Sequence, residues 1–101
     1  MRKTFMITLD LLPSLDLDGL REYVKTSSLF ENWWNHIAGA FLVVSDRRAD
    51  AISEAVKRCT RSARMLVIEA NPAESEGWLS ERGWEWIRRR SQEAAEQPAT
   101  Q

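Results

Sequence analysis

Few side chains in this sequence could do chemistry, and they are scattered. Asp10 closes an alternating stretch, Thr4 to Asp10, in which Phe5, Ile7 and Leu9 share one side. That places a carboxylate at the end of a half-buried strand. Asp16 and Asp18 follow in the next loop. Mg²⁺ and Mn²⁺ favour oxygen ligands, and Mg²⁺ takes few from the protein and keeps several waters. Asp10 is therefore the candidate metal ligand and catalytic residue, with a solvated strand end as the plainer alternative. His36 is the only histidine. Histidine as a residue type can exchange a proton near neutral pH, so a general base is one reading. His36 lacks Cys or His partners at ligand spacing, which favours a structural role. Cys59 falls on the apolar side of a helix and reads as a small core residue. The serines assemble no triad with His and Asp, and no Gly-rich phosphate loop is present.

Positive charge is unevenly placed. Residues 47–68 carry Arg47, Arg48, Lys57, Arg58, Arg61 and Arg64 against Asp50 and Glu54, whereas both flanking regions are net acidic. Arg47, Arg48, Lys57, Arg58 and Arg61 are the candidate nucleic-acid contacts, although a solvated helix face explains them as simply. Arg88-Arg89-Arg90 stand close to Glu81, Glu85 and Glu93 on one helix, which predicts a self-neutralised surface. The five tryptophans are many for 101 residues. Core or interface filling is their default use, and base stacking the sharper one. Trp33, Trp34, Phe41, Trp84 and Trp86 are the candidate interface residues.

Composition bounds the rest. A chain of 101 residues with net charge -1 is one domain and does not advertise nucleic acid by overall charge. A lone cysteine permits no internal disulfide and fits a reducing compartment. No run approaches the length of a membrane span, and the N-terminus lacks a cleavage site. A cytoplasmic protein with no membrane partner is the expectation.

The elements that must position these residues follow in order. After β1 (Thr4–Asp10), Asp16 should cap a helix over 17–28, with Leu17, Leu20 and Val24 on one face. Residues 30–37 form an aromatic strand, with Phe30, Trp34 and His36 on one side and Trp33 and Ile37 on the other. Gly39 turns it into a second strand, 40–45, whose Val43-Val44 pair predicts a central position. Asp46 should cap a helix over 47–60 that buries Ala49, Ile52, Val56 and Cys59. Met65 to Ile68 is apolar on both sides and makes the fourth strand, stopped at Asn71-Pro72. Ser80 should cap a third helix, with Leu79 and Trp84 as a hydrophobic staple. Residues 1–90 thus form the domain and 91–101 a polar, partly disordered tail.

The order βαββαβ plus a C-terminal helix predicts an α+β, ferredoxin-like sandwich. Both early helices should cover one side of a four-stranded antiparallel sheet. The other side would carry some of Met6, Thr8, Trp33, Phe41 or Leu42, and Met65 or Val67. Such a surface calls for a second copy or for the third helix. The third strand reads Gly39-Ala40-Phe41-Leu42-Val43, which lacks the basic and aromatic signature of an RNA-recognition module. The absence of paired cysteines excludes a ferredoxin-like metal chaperone.

With Asp10, the hairpin and this strand order, the chain resembles the small ferredoxin-like nucleases of the CRISPR-adaptation and VapD toxin group. Trp33-Trp34, Val43-Val44-Ser45-Asp46, Glu76-Gly77-Trp78-Leu79 and Trp84-Glu85-Trp86-Ile87 look most like their bacterial relatives labelled SinR family, over roughly residues 3–90. The resemblance implies a homodimer, Asp10 at the dimer interface, and metal-dependent cleavage of RNA or DNA with Mg or Mn. It implies a setting in prokaryotic defence or a toxin–antitoxin pair. The basic and serine positions of the nuclease group have no identifiable counterpart here. The competing expectation is a non-catalytic interaction module, an immunity or antitoxin protein, anchored on a protein partner by tryptophan.

Overall fold

A computed structural model describes residues 2–60 and 63–96. The elements are β1 (Lys3–Leu9), α1 (Leu17–Thr26), β2 (Asn32–Ile37), β3 (Ala40–Ser45), α2 (Ala49–Thr60), β4 (Met65–Ala70) and α3 (Glu81–Glu96). The class is α+β: one four-stranded antiparallel sheet, ordered β2-β3-β1-β4, with three helices. No helix among the described residues is long and apolar enough to cross a membrane.

Register decides which side chains share a face, because directly opposed residues in a ladder point the same way. Phe5 opposes Val43 and Glu69, and Ile7 opposes Phe41 and Val67. Trp33 opposes Val43 in turn. These residues line one face. Leu20 and Val24 of α1 and Ile52 and Val56 of α2 pack onto it with Phe5, Ile7, Leu9, Phe30, Phe41 and Val43 to make the core. Both early helices therefore cover the same side of the sheet, as their apolar stripes require. Trp33 and Phe41 belong to that covered side, so of the alternatives Phe41 and Leu42 it is Leu42 that lies on the bare one, and the candidacy of Trp33 and Phe41 as interface residues is corrected. Phe41 is 0% exposed and so lines no surface.

The opposite face carries Thr4, Met6 and Thr8 of β1, Leu42 and Val44 of β3, Asn32 and Trp34 of β2, and Leu66 and Ile68 of β4. Leu66 and Ile68, not Met65 and Val67, are its β4 members. α3 lies over the β2 side of this face. The Trp34 indole Nε1 donates to the Gly83 carbonyl at 3.3 Å, and the Trp86 Nε1 donates to Asn32 Oδ1 at 2.9 Å. Trp34, Val44 and Ile87 are buried in consequence, while Leu66 and Ile68 remain 58% and 49% exposed. The third helix thus covers half of the face and leaves the β4 half bare.

Local chemistry explains the element ends. Asp16 caps α1, its Oδ1 accepting from the Gly19 amide at 2.9 Å. A Cβ at position 19 would collide with the same carboxylate, so glycine there serves the cap. Ser80 caps α3, its Oγ accepting from the Gly83 amide at 3.2 Å. Asp46 does not cap α2. The Ser45 hydroxyl accepts the Arg47 amide at 3.1 Å in a tight turn, and the helix begins at Ala49, with the Arg48 carbonyl taking the Ile52 amide at 3.2 Å. Phe30 enters the core from the turn after α1, edge-on to Tyr23, and the second strand starts two residues later. α3 runs to Glu96, so residues 91–96 continue a helix and are not tail. The disorder expected for 97–101 lies outside the described residues.

Candidate functional site

Asp10 follows the last residue of β1, and Arg64 precedes the first of β4. The two strands are neighbours, so these residues meet. The Asp10 amide donates to the Arg64 carbonyl at 3.0 Å, and the Arg64 Nε donates to Asp10 Oδ2 at 2.8 Å. Both side chains reach solvent. They sit in a shallow hollow with Thr8, Leu9, Met65 and Leu66, at the end of the bare half of the sheet. Sequence reasoning missed Arg64 as the partner of Asp10. The signal existed only in the β1–β4 register, which places residues 54 apart in sequence side by side.

The other acids do not converge on Asp10. Asp16 is committed to the α1 cap, and Asp18 Oδ1 accepts from Arg21 at 3.1 Å. Among the described residues no three His, Cys, Asp or Glu side chains are grouped as a metal site. A cation at Asp10 would have one carboxylate, with Arg64 already on one of its oxygens. One carboxylate suits only a largely hydrated Mg²⁺ or Mn²⁺ whose remaining ligands are water or substrate phosphate.

His36 lies exposed on β2, its Nδ1 3.4 Å from the Ser80 Oγ and its ring 5.1 Å from that of Trp34. Its one hydrogen-bond partner among the described residues is a helix-capping serine, and no carboxylate orients it. This makes a β2–α3 contact, not a general base held for proton transfer. The Cys59 thiol is packed against the core, and burial pushes its pKa up. A protonated thiol is a poor nucleophile.

The basic residues divide into two groups. Arg47 and Arg48 precede α2 and lean on Asp46 and Asp50, each at 3.6 Å. Lys57 and Arg58 sit exposed in its last turn. At a rise of about 1.5 Å per residue, α2 climbs roughly 12 Å from Ala49 to Lys57, so the two pairs stand at opposite ends of the helix. Arg61 lies outside the described residues. Arg88-Arg89-Arg90 also separate. Arg89 pairs with Glu85 at 3.1 Å on the surface, as its spacing predicts. Arg90 instead is only 9% exposed, pairs with Glu93 at 3.0 Å, and stacks over Trp86 at 5.0 Å.

The tryptophans occupy distinct settings. Trp33 tilts against Phe41 on the core side, and Trp34 is buried beneath α3. Trp84 and Trp86 are half-buried on α3. Trp78, which was not among the candidate interface residues, is 98% exposed in the loop before α3.

Compared with protein families, with curated proteins and with solved structures, the chain matches none.

Proposed function

We propose that this chain is a ferredoxin-like domain that works as a homodimer in a nucleic-acid-linked role, in the cytoplasm of a prokaryote, within a defence or toxin–antitoxin setting. The observation that supports this reading best is the coincidence of Asp10 with the bare half of the sheet. The carboxylate that closes the first core strand stands beside Leu66, where apolar surface remains uncovered. The strand order β2-β3-β1-β4, with α1 and α2 on one side, agrees with the ferredoxin-like sandwich and with the resemblance drawn above. In its enzymatic form the protein is a metal-dependent nuclease in which Asp10 holds a hydrated Mg²⁺ or Mn²⁺ against a phosphate. Arg64 would then orient the carboxylate, and Lys57 and Arg58 would contact the backbone of RNA or DNA. Incubating the protein with RNA and with DNA plus Mg²⁺ or Mn²⁺ tests this. Metal-dependent cleavage lost in Asp10→Asn supports it, and cleavage unchanged in that variant rules out this site.

A second reading is favoured by the Asp10–Arg64 bond itself, which occupies the carboxylate without any ion. In it the protein is non-catalytic and binds a partner protein, with the fully exposed Trp78 as anchor. Absence of cleavage, together with a stoichiometric protein partner lost in Trp78→Ala, selects this reading.

A further inference from the structure

We propose that two copies of this chain join edge to edge through β4, antiparallel, to make one continuous eight-stranded sheet with Val67 on the two-fold axis. This rests on the dimeric part of the reading above and supplies its geometry.

The argument starts from backbone groups. The Asp10 amide bonds the Arg64 carbonyl, so residues 10 and 64 form a hydrogen-bonded pair. Such pairs alternate along an antiparallel ladder. In the observed register the next ones are Thr8 with Leu66, Met6 with Ile68, and Thr4 with Ala70. Arg64 and those three β4 positions spend their N–H and C=O groups on β1 and its continuation at Asp10. The N–H and C=O groups of Met65, Val67 and Glu69 therefore point out of the sheet, along its open edge. The Leu9 amide bonded to the Gly39 carbonyl agrees, since it directs the odd residues of β1 towards β3.

The two edges of the sheet differ. β2 is interrupted by a register shift between Trp34 and Ile37. The Asn35 side chain fills that irregularity, its Nδ2 reaching the carbonyls of Ile37, Ala38 and Ala40, and Arg21 holds its Oδ1 at 2.7 Å. Bulges of this kind protect an edge from pairing. β4 has no bulge in its register with β1, no proline and no lysine. It presents Leu66 and Ile68 half exposed, and only Glu69 breaks its apolar run.

One register uses every outward group. Pairing Met65 with Glu69 of the second copy, Val67 with Val67, and Glu69 with Met65 gives three hydrogen-bonded pairs and six bonds. The same register sets Leu66 directly against Ile68 of the second copy, on the face that α3 leaves bare. It also keeps the two Glu69 carboxylates four residues apart along the ladder, whereas a parallel pairing would bring like charges together. Taking about 4.8 Å between strands and 3.4 Å per residue, the two Asp10 carboxylates lie about 25 Å apart. Each Asp10 then acts alone and no cation is shared across the axis.

Sedimentation velocity of the full chain over a range of concentrations is the test, with circular dichroism confirming that each variant folds. The wild type should dimerise, and Ile68→Lys should weaken the dimer at least tenfold. Leu66→Glu combined with Ile68→Lys should recover most of that loss, because the introduced carboxylate of each copy then faces the introduced ammonium of the other, twice across the axis. In the same dimer, amide exchange at Met65, Val67 and Glu69 should slow as concentration rises. A wild type that stays monomeric overturns both the dimer and its geometry. A dimer that tolerates Ile68→Lys, or one that the double variant fails to recover, overturns the edge geometry alone.

Discussion

At the scale of single residues, burial separates side chains that composition treats alike. Trp34 lies under α3, whereas Trp78 meets solvent on nearly all sides. Trp34→Ala should cost about 3–5 kcal/mol in denaturant unfolding, the range for a large buried side chain. Trp78→Ala should stay within about 0.5 kcal/mol of the parent. Cys59 gives a pH prediction. Its thiol pKa is raised above the ordinary value of 9.0 by burial, so the folded chain holds that proton more tightly than the unfolded one. The associated stability is complete below pH 9.0 and is lost as pH rises through the folded-state value. Cys59→Ala should remove that alkaline fall, which urea titrations on either side of the thiol range would detect. The Asp10–Arg64 pair is exposed on both sides, and surface pairs of this kind contribute about 0–1 kcal/mol. Arg64→Ala should therefore change what Asp10 can bind more than it changes stability.

Elements were legible where the signal is local. The bounds of β3 follow from its apolar run, and the caps Asp16 and Ser80 from side chains that can accept only what a helix start offers. The start of α2 was not legible, because Ser45 and Asp46 can each accept a nearby amide; Ser45 takes that of Arg47 in a turn, and the helix begins only at Ala49. The facing of Trp33 and the choice between Phe41 and Leu42 stayed open for a related reason. Neighbouring aromatic or apolar residues leave no polar partner to mark the outward side, so the ladder register decides. The Asp10–Arg64 contact was invisible for the same cause, and Asp10 alone could be read. A double-mutant cycle tests the α1 cap. Glycine to alanine inside a helix usually stabilises by about 1 kcal/mol. Gly19→Ala should fail to do so, because its methyl displaces the Asp16 carboxylate, and it should recover that gain once Asp16 is already alanine. Gly83 is held less closely, a Cβ there lying 3.3 Å from the Trp34 Nε1, a tight contact and not a collision. Gly83→Leu should lift α3 from β2 and raise the exchange rate of the Trp34 indole proton.

Across the whole molecule, two helices saturate one side of the sheet and the third covers only half of the other. Truncation before Glu81 should leave the α1–α2 core intact, since among the described residues that core uses none from α3. It should nonetheless expose Trp34 and Val44 and give a species that aggregates or binds apolar dyes, measurable by light scattering and fluorescence. The asymmetry leaves the two edges of the sheet unlike on this side. Strand β4 faces solvent, and strand β2 lies beneath the third helix.

Trp78 has one practical corollary. Five indoles in such different surroundings emit as a composite, and the one in the loop should supply its red edge. Iodide, an anion that cannot enter the core, should quench that component first, although Glu74 and Glu76 nearby will slow its approach relative to acrylamide. Any ligand that seats on the loop would then announce itself as a blue shift with protection from iodide, without a label of any kind.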